Sequence, residues 1–201
     1  FDKLSVFLSL TVTTSEKLWN KRVYYNMQSL RTELQNLTLI SDVHQHQDLL
    51  ERLSERIPNS IRILESLHSI DLYTCFVYAF EFTNDPRYLG IASFGLGRVF
   101  ASPDFVRYMI EKGYLYEIDC ASVSKGNLII YYRDGDVTHG GKFGGNGRVV
   151  SKWGIGHLYE HDILEVPECY GNEFRCYKEI STEKALNYFR EYAEHMGLEF
   201  E

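Results

Sequence analysis

The chain has 201 residues, 44% of them apolar and 24% charged, with a formal net charge of -7 at pH 7. That balance excludes wholesale disorder and allows one domain with a sizeable core. It also argues against a nucleic-acid partner, since phosphate binding rests on a basic face and no Lys/Arg run exceeds Lys21-Arg22.

Residues 4–12 alternate loosely and predict a strand or an irregular arm. Ser and Thr interrupt this apolar stretch and Asp2 precedes it, a poor signal peptide. From Glu16 to about Leu37, the spacing of Leu18, Tyr25, Leu30, Leu34 and Leu37 is helical. Leu49, Leu50, Leu53 and Ile57 predict a second helix, stopped by Pro58. A third is expected after a cap at Asn59 or Ser60, with Ile61, Leu64 and Leu67 on one face. Residues 1–70 therefore read as a helical N-terminal extension, with His44 and His46 on a polar, solvated stretch.

The texture changes in residues 71–201. Thr74 to Phe80 is strongly apolar, a buried strand or the start of a buried helix. Gly90 to Gly97 is glycine-rich but lacks the GxxxxGK[ST] order of a phosphate loop, so a loop beside a cleft is expected. Ser102-Pro103 opens a helix that ends at Gly113. Strand-like runs follow at Tyr114–Ile118, Asn127–Tyr132, Gly140–Phe143 and Arg148–Trp153. Gly145-Asn146-Gly147 supplies a hairpin turn between the last two, and Glu183 to Met196 reads as a closing helix. Helices first and an antiparallel sheet afterwards predict an α+β fold.

No stretch reaches the roughly 18 apolar residues of a membrane helix, so no membrane partner is expected. The cysteines are Cys75, Cys120, Cys169 and Cys176, with no CxxC among them. They predict no disulfide framework and a reducing, cytoplasmic setting, with a Cys169–Cys176 bridge left open.

Cys75 and His139 carry the chemistry. A thiol attacks as thiolate, and a helix N-terminus and a nearby imidazole both favour that form. If Cys75 begins a helix running toward Phe82, its own N–H is placed to help bind an oxyanion. His139 follows the turn-like Asp134-Gly135-Asp136, and Gly140 and Gly141 let another element approach its strand closely. A bulged loop after it would put Ser151 on the face of His139; a two- or four-residue loop would put Lys152 there.

Cys75 opening an apolar segment, followed by His139-Gly-Gly-Lys-Phe-Gly-Gly-Asn-Gly-Arg-Val-Val-Ser151, resembles the NlpC/P60 group of papain-like cysteine hydrolases. The resemblance covers roughly Leu72 to Tyr177. It implies a papain-like helix packed on a small antiparallel sheet and a Cys75–His139 pair that cleaves or transfers at an amide or ester bond. Ser151 falls where that group has a third polar residue, commonly His. Thr74 stands where Asp usually precedes the Cys.

The stretch from Ser151 to His161 is rich in aromatic and histidine residues. Either this stretch packs structurally, or Trp153 and its neighbouring glycines wall a substrate groove, with His157, Glu160 or His161 adding polar contacts. Lys152 would hold a substrate carboxylate or carbonyl, and the Tyr73 hydroxyl would reach an intermediate. His157 and His161 would ligate a metal only on a helix, and the flanking glycines disfavour one.

These residues point to a cysteine hydrolase or acyltransferase that needs no cofactor and acts on a peptide, protein or other amide or ester substrate. The rival is a catalytically idle papain-like domain that binds a protein or peptide. Nothing in the sequence specifies an oligomeric state.

Overall fold

Leu30, Leu34 and Leu37 recur at helical spacing because they form the buried stripe of α1 (Thr14–Thr38). This computed structural model describes residues 14–40, 42–66, 68–69, 73–95, 98–154 and 156–199, with side chains from residue 26 onward. The arm expected at residues 4–12 lies outside them. So do Leu67, Leu72, Leu96 and Gly97.

The second expected helix is α2 (His46–Arg56), which ends one residue before Ile57 and two before Pro58. Four further helices follow: α3 (Cys75–Ala79), α4 (Pro86–Phe94), α5 (Pro103–Glu111) and α6 (Thr182–His195). The strands are β1 (Arg62–Leu64), β2 (Glu117–Ile118), β3 (Leu128–Arg133), β4 (Asp136–Gly145), β5 (Arg148–Lys152), β6 (Leu158–Asp162) and β7 (Glu173–Tyr177). Among the described residues the fold is therefore α+β, with six helices and a seven-stranded antiparallel sheet in the order β1-β6-β5-β4-β3-β7-β2.

Helices cover both faces of this sheet. On one, Phe76, Phe82, Phe105 and Phe189 of the α3–α6 side pack with Ile130 and Tyr177. On the other, Leu30, Leu34, Leu50 and Leu53 of α1 and α2 pack with Ile129, Tyr131, Val149 and Tyr159. Burial on both faces explains why Leu128 to Tyr132 is an unbroken apolar run. The β4–β5 turn lies where it was expected: Gly145, Asn146 and Gly147 have φ of 98°, 51° and 76°.

Four expectations are corrected. Among the described residues no helix forms between Pro58 and α3; Arg62–Leu64 instead pairs with Leu158–Glu160, and Arg62 forms an ion pair with Glu160. The sheet thus draws an edge strand from within the segment assigned to a helical extension. His46 is buried, not solvated, because its Nδ1 meets the Tyr159 hydroxyl at 2.8 Å and its Nε2 the Ile40 carbonyl at 3.0 Å. Gly90 belongs to α4, whose start is fixed by the Asp85 cap and Pro86. Cys176 is joined to Cys120, not Cys169, with Cα atoms 5.3 Å apart; Cys75 and Cys169 are free. No helix among the described residues is long and apolar enough to cross a membrane.

Candidate thiol site at the start of α3

Thr74 decides where α3 starts. Its backbone is extended (φ −96°, ψ 175°), and its hydroxyl accepts from the Val77 N–H, making Cys75 the first helical residue. Phe76, Val77 and Ala79 are buried and fasten the helix to the sheet. The close approach depends on Gly140 of β4: a Cβ there would lie 2.6 Å from the Phe76 ring. The sequence expectation of a helix reaching Phe82 is shortened to five residues. Individual N–H groups therefore matter more here than a macrodipole.

Cys75 is half-buried, and burial pushes its thiol up to about 11. Against that, the backbone N–H groups of Gly140, Phe76 and Cys75 itself act on the sulfur, as does the charge of Lys152, and all favour thiolate. The sulfur thus meets β4 at the peptide that follows His139.

Successive side chains of a strand point to opposite faces. Gly140 faces α3, so His139 is directed to the other side, opposite Tyr131. Its ring is 1% exposed and lies parallel to Tyr170, with centroids 3.8 Å apart and 2° between planes. Burial, then the charge of His161, holds the imidazole well below its ordinary range, which keeps it neutral at pH 7. Its Nε2 is buried without a hydrogen-bond partner, so no such bond links that nitrogen to Cys75. A buried polar atom of this kind is uncommon and marks strain or function.

Ser151 shares that face as a bulged hairpin requires: the register shifts between Phe143 and Gly145, and Gly141 stands opposite Ser151. It does not orient His139, however. Its Oγ lies 2.8 Å from Nε2 of His161 and accepts from Trp153 Nε1 at 2.9 Å.

Lys152 faces the α3 side, where its Nζ donates to the carbonyls of Gly154 (3.0 Å) and Gly156 (2.7 Å). The same ammonium sits 5.2 Å from the centre of the Tyr73 ring. Tyr73 is buried, with its hydroxyl 2.9 Å from Ser66 Oγ. Trp153 is fully buried and stacks on Tyr159 at 4.2 Å, so it belongs to the core and walls no groove. His157 Nε2 meets the Val43 carbonyl at 2.9 Å, and His161 Nδ1 the Asp162 carbonyl at 2.8 Å. His161 lies on β6 and His157 just precedes it, so the i, i+4 spacing makes no helical metal face. Glu160 pairs with Arg62 and Arg148.

Tyr170 is the site residue that sequence reasoning missed. It closes a short 3-10 turn, Glu168–Tyr170, just before Gly171. No pattern within its own segment signals a ring aimed at a strand 30 residues earlier.

The chain matched no protein-family model, no curated protein and no solved structure. Fold and site together define it as an α+β protein with a half-buried thiol beside a histidine-bearing strand.

Proposed function

We propose that the protein is a papain-like cysteine hydrolase or acyltransferase acting on an amide or ester bond, with Cys75 as nucleophile and His139 as base. The observation that carries this is the sulfur of Cys75 resting against the Gly140 N–H, one peptide from a buried imidazole whose Nε2 has no partner. The resemblance of the His139 hairpin to the NlpC/P60 group supports the same reading. A thiol pushed up to about 11 is protonated at pH 7, so attack requires a base, and the neutral imidazole is the form able to serve. In this reading the imidazole, directed to the opposite face of β4, turns toward the sulfur and takes the Cys75 proton as the sulfur bonds to the carbonyl carbon. Collapse of the tetrahedral intermediate returns that proton to the departing amine or alcohol. Water or a second acceptor then releases the acyl group from sulfur. The N–H groups gathered at Cys75 are placed to stabilise the oxyanion. The Cys120–Cys176 bridge fits an oxidising compartment better than the reducing one that the sparse cysteines pointed to.

The second reading, an idle papain-like domain that binds a protein or peptide, draws on the partnerless His139 Nε2 and the raised thiol. Iodoacetamide labelling at pH 6–7 separates the two. The enzyme reading expects Cys75 to label well ahead of Cys169, the other free thiol, and to slow in His139→Ala. Labelling no faster than Cys169, and indifferent to His139, leaves the binding module.

A further inference from the structure

We propose that Tyr170 is the positioning residue for His139, taking by ring stacking the part that the sequence assigns to Ser151. This rests on the proposed thiol chemistry and names how its base is held.

Ser151 is committed elsewhere: its hydroxyl serves His161 and Trp153. Nε2 of His139 has no hydrogen-bond partner, so at that nitrogen nothing polar fixes the ring plane. The Tyr170 ring instead covers one face of the imidazole at 3.8 Å and 2°, while Tyr131 approaches at 5.6 Å and 43°. Parallel stacking on Tyr170 favours one plane for the imidazole.

Tyr170 is itself held at three points. Its hydroxyl accepts from the Gly154 N–H at 2.9 Å. Its carbonyl accepts from Thr138 Oγ1 at 2.6 Å, tying it to the residue before His139. The next carbonyl, of Gly171, accepts from Arg31 of α1, whose Nε also reaches the Val166 carbonyl at 3.3 Å. Gly171 turns with φ of 91°, a conformation that favours glycine, so the ring's entry angle is built into the backbone. The phenol is buried close enough to Cys75 for a thiolate there to oppose its ionisation.

Stacking also affects the proton. An imidazolium over the electron-rich face of a tyrosine is favoured over the neutral ring. When the Cys75 proton moves to His139, leaving thiolate and imidazolium, Tyr170 stabilises the product of that transfer. The titratable groups around the imidazole are Tyr131 from β3, His161 from β6 and Tyr170 from the turn, and the Cys75 thiol at the head of α3 acts in turn on the Tyr170 phenol. Of these, Tyr170 alone offers a parallel π face.

The test uses the full chain with its disulfide intact and iodoacetamide as the probe. Tyr170→Leu should slow the labelling of Cys75 about tenfold near neutral pH and move its pH profile upward. Tyr170→Phe, which keeps the ring, should behave as the parent protein. Tyr170→Met fills the volume without a π face and should follow Leu if the Leu variant melts too low to assay. In the unmutated chain, the His139 ring protons should resonate upfield of their ordinary position from the Tyr170 ring current. His139-dependent labelling left unchanged by Leu and Met, a Phe variant as slow as Leu, or no upfield shift would each overturn the assignment. Labelling that never depended on His139 would instead sink the thiol chemistry itself.

Discussion

Phe76 occupies the space that a side chain at Gly140 would need, with its Cε1 2.6 Å from where a Cβ would stand. The ring is 1% exposed and hemmed in by the core, and Ile130 closes the same spot from β3. Gly140→Ala should therefore lift α3 from the sheet at a cost of about 1–3 kcal/mol, read as a lower urea midpoint. Cys75 labelling should change as well, because the sulfur loses its contact with the Gly140 N–H. An alanine variant with parental stability and labelling would show that the contact yields freely.

Acid should weaken the fold through its buried histidines. Burial lowers the imidazole of His161 to about 4, and holds those of His46 and His139 below their usual value for the same reason. Between about 6.5 and 4 the unfolded chain binds protons that the folded chain does not, so stability falls as pH drops through that window. His161 alone would contribute roughly 3 kcal/mol of this loss. His161→Gln should flatten the dependence of Tm on pH in that range. A curve as steep as the parent's would locate the acid sensitivity elsewhere.

The Cys120–Cys176 bridge closes a loop of sequence separation 56. Reduction should cost about 3–4 kcal/mol, mainly by freeing the unfolded chain. Cys176 is wholly buried, so thiol reduction is a cleaner probe than replacing that residue. A melting curve indifferent to dithiothreitol would argue that the bridge does not form in solution.

Lys152 favours the Cys75 thiolate through its charge, although burial dominates and leaves the thiol at about 11. Lys152→Met should push the thiol higher still, seen as slower alkylation at pH 8–9 with the fold retained. Because Nζ is bonded to two carbonyls, some loss of stability should accompany the change. Faster alkylation would reverse the assigned electrostatics.

What could be read from the sequence divides by the range of the interactions. The start of α5 was legible because Ser102 accepts from the Phe105 N–H and Pro103 pre-sets the first turn, both local effects. The β4–β5 hairpin was legible through Gly145-Asn146-Gly147, and its bulge carried Ser151 to the His139 face as one loop geometry required. β1 was not, since three residues become a strand only when β6, nearly 100 positions later, presents its edge. His46 passed for a solvated residue because the Tyr159 hydroxyl that satisfies it lies 113 positions away. Trp153 looked like a groove wall, since no local pattern separates an aromatic lining a cleft from one stacked in the core. Ser151 was placed correctly on its face and given the wrong partner, because His161 comes from the next strand over.

The pairing of Arg62–Leu64 with β6 sets where the chain can be cut. A fragment trimmed to residues 71–201, the natural choice if the first 70 formed a detachable arm, would leave β6 as an open edge. It would also strip the Leu30–Leu53 layer from Tyr131 and Tyr159. Exposed edges recruit strands from other molecules, so self-association of such a fragment would reflect where it was truncated and say nothing of how the protein assembles.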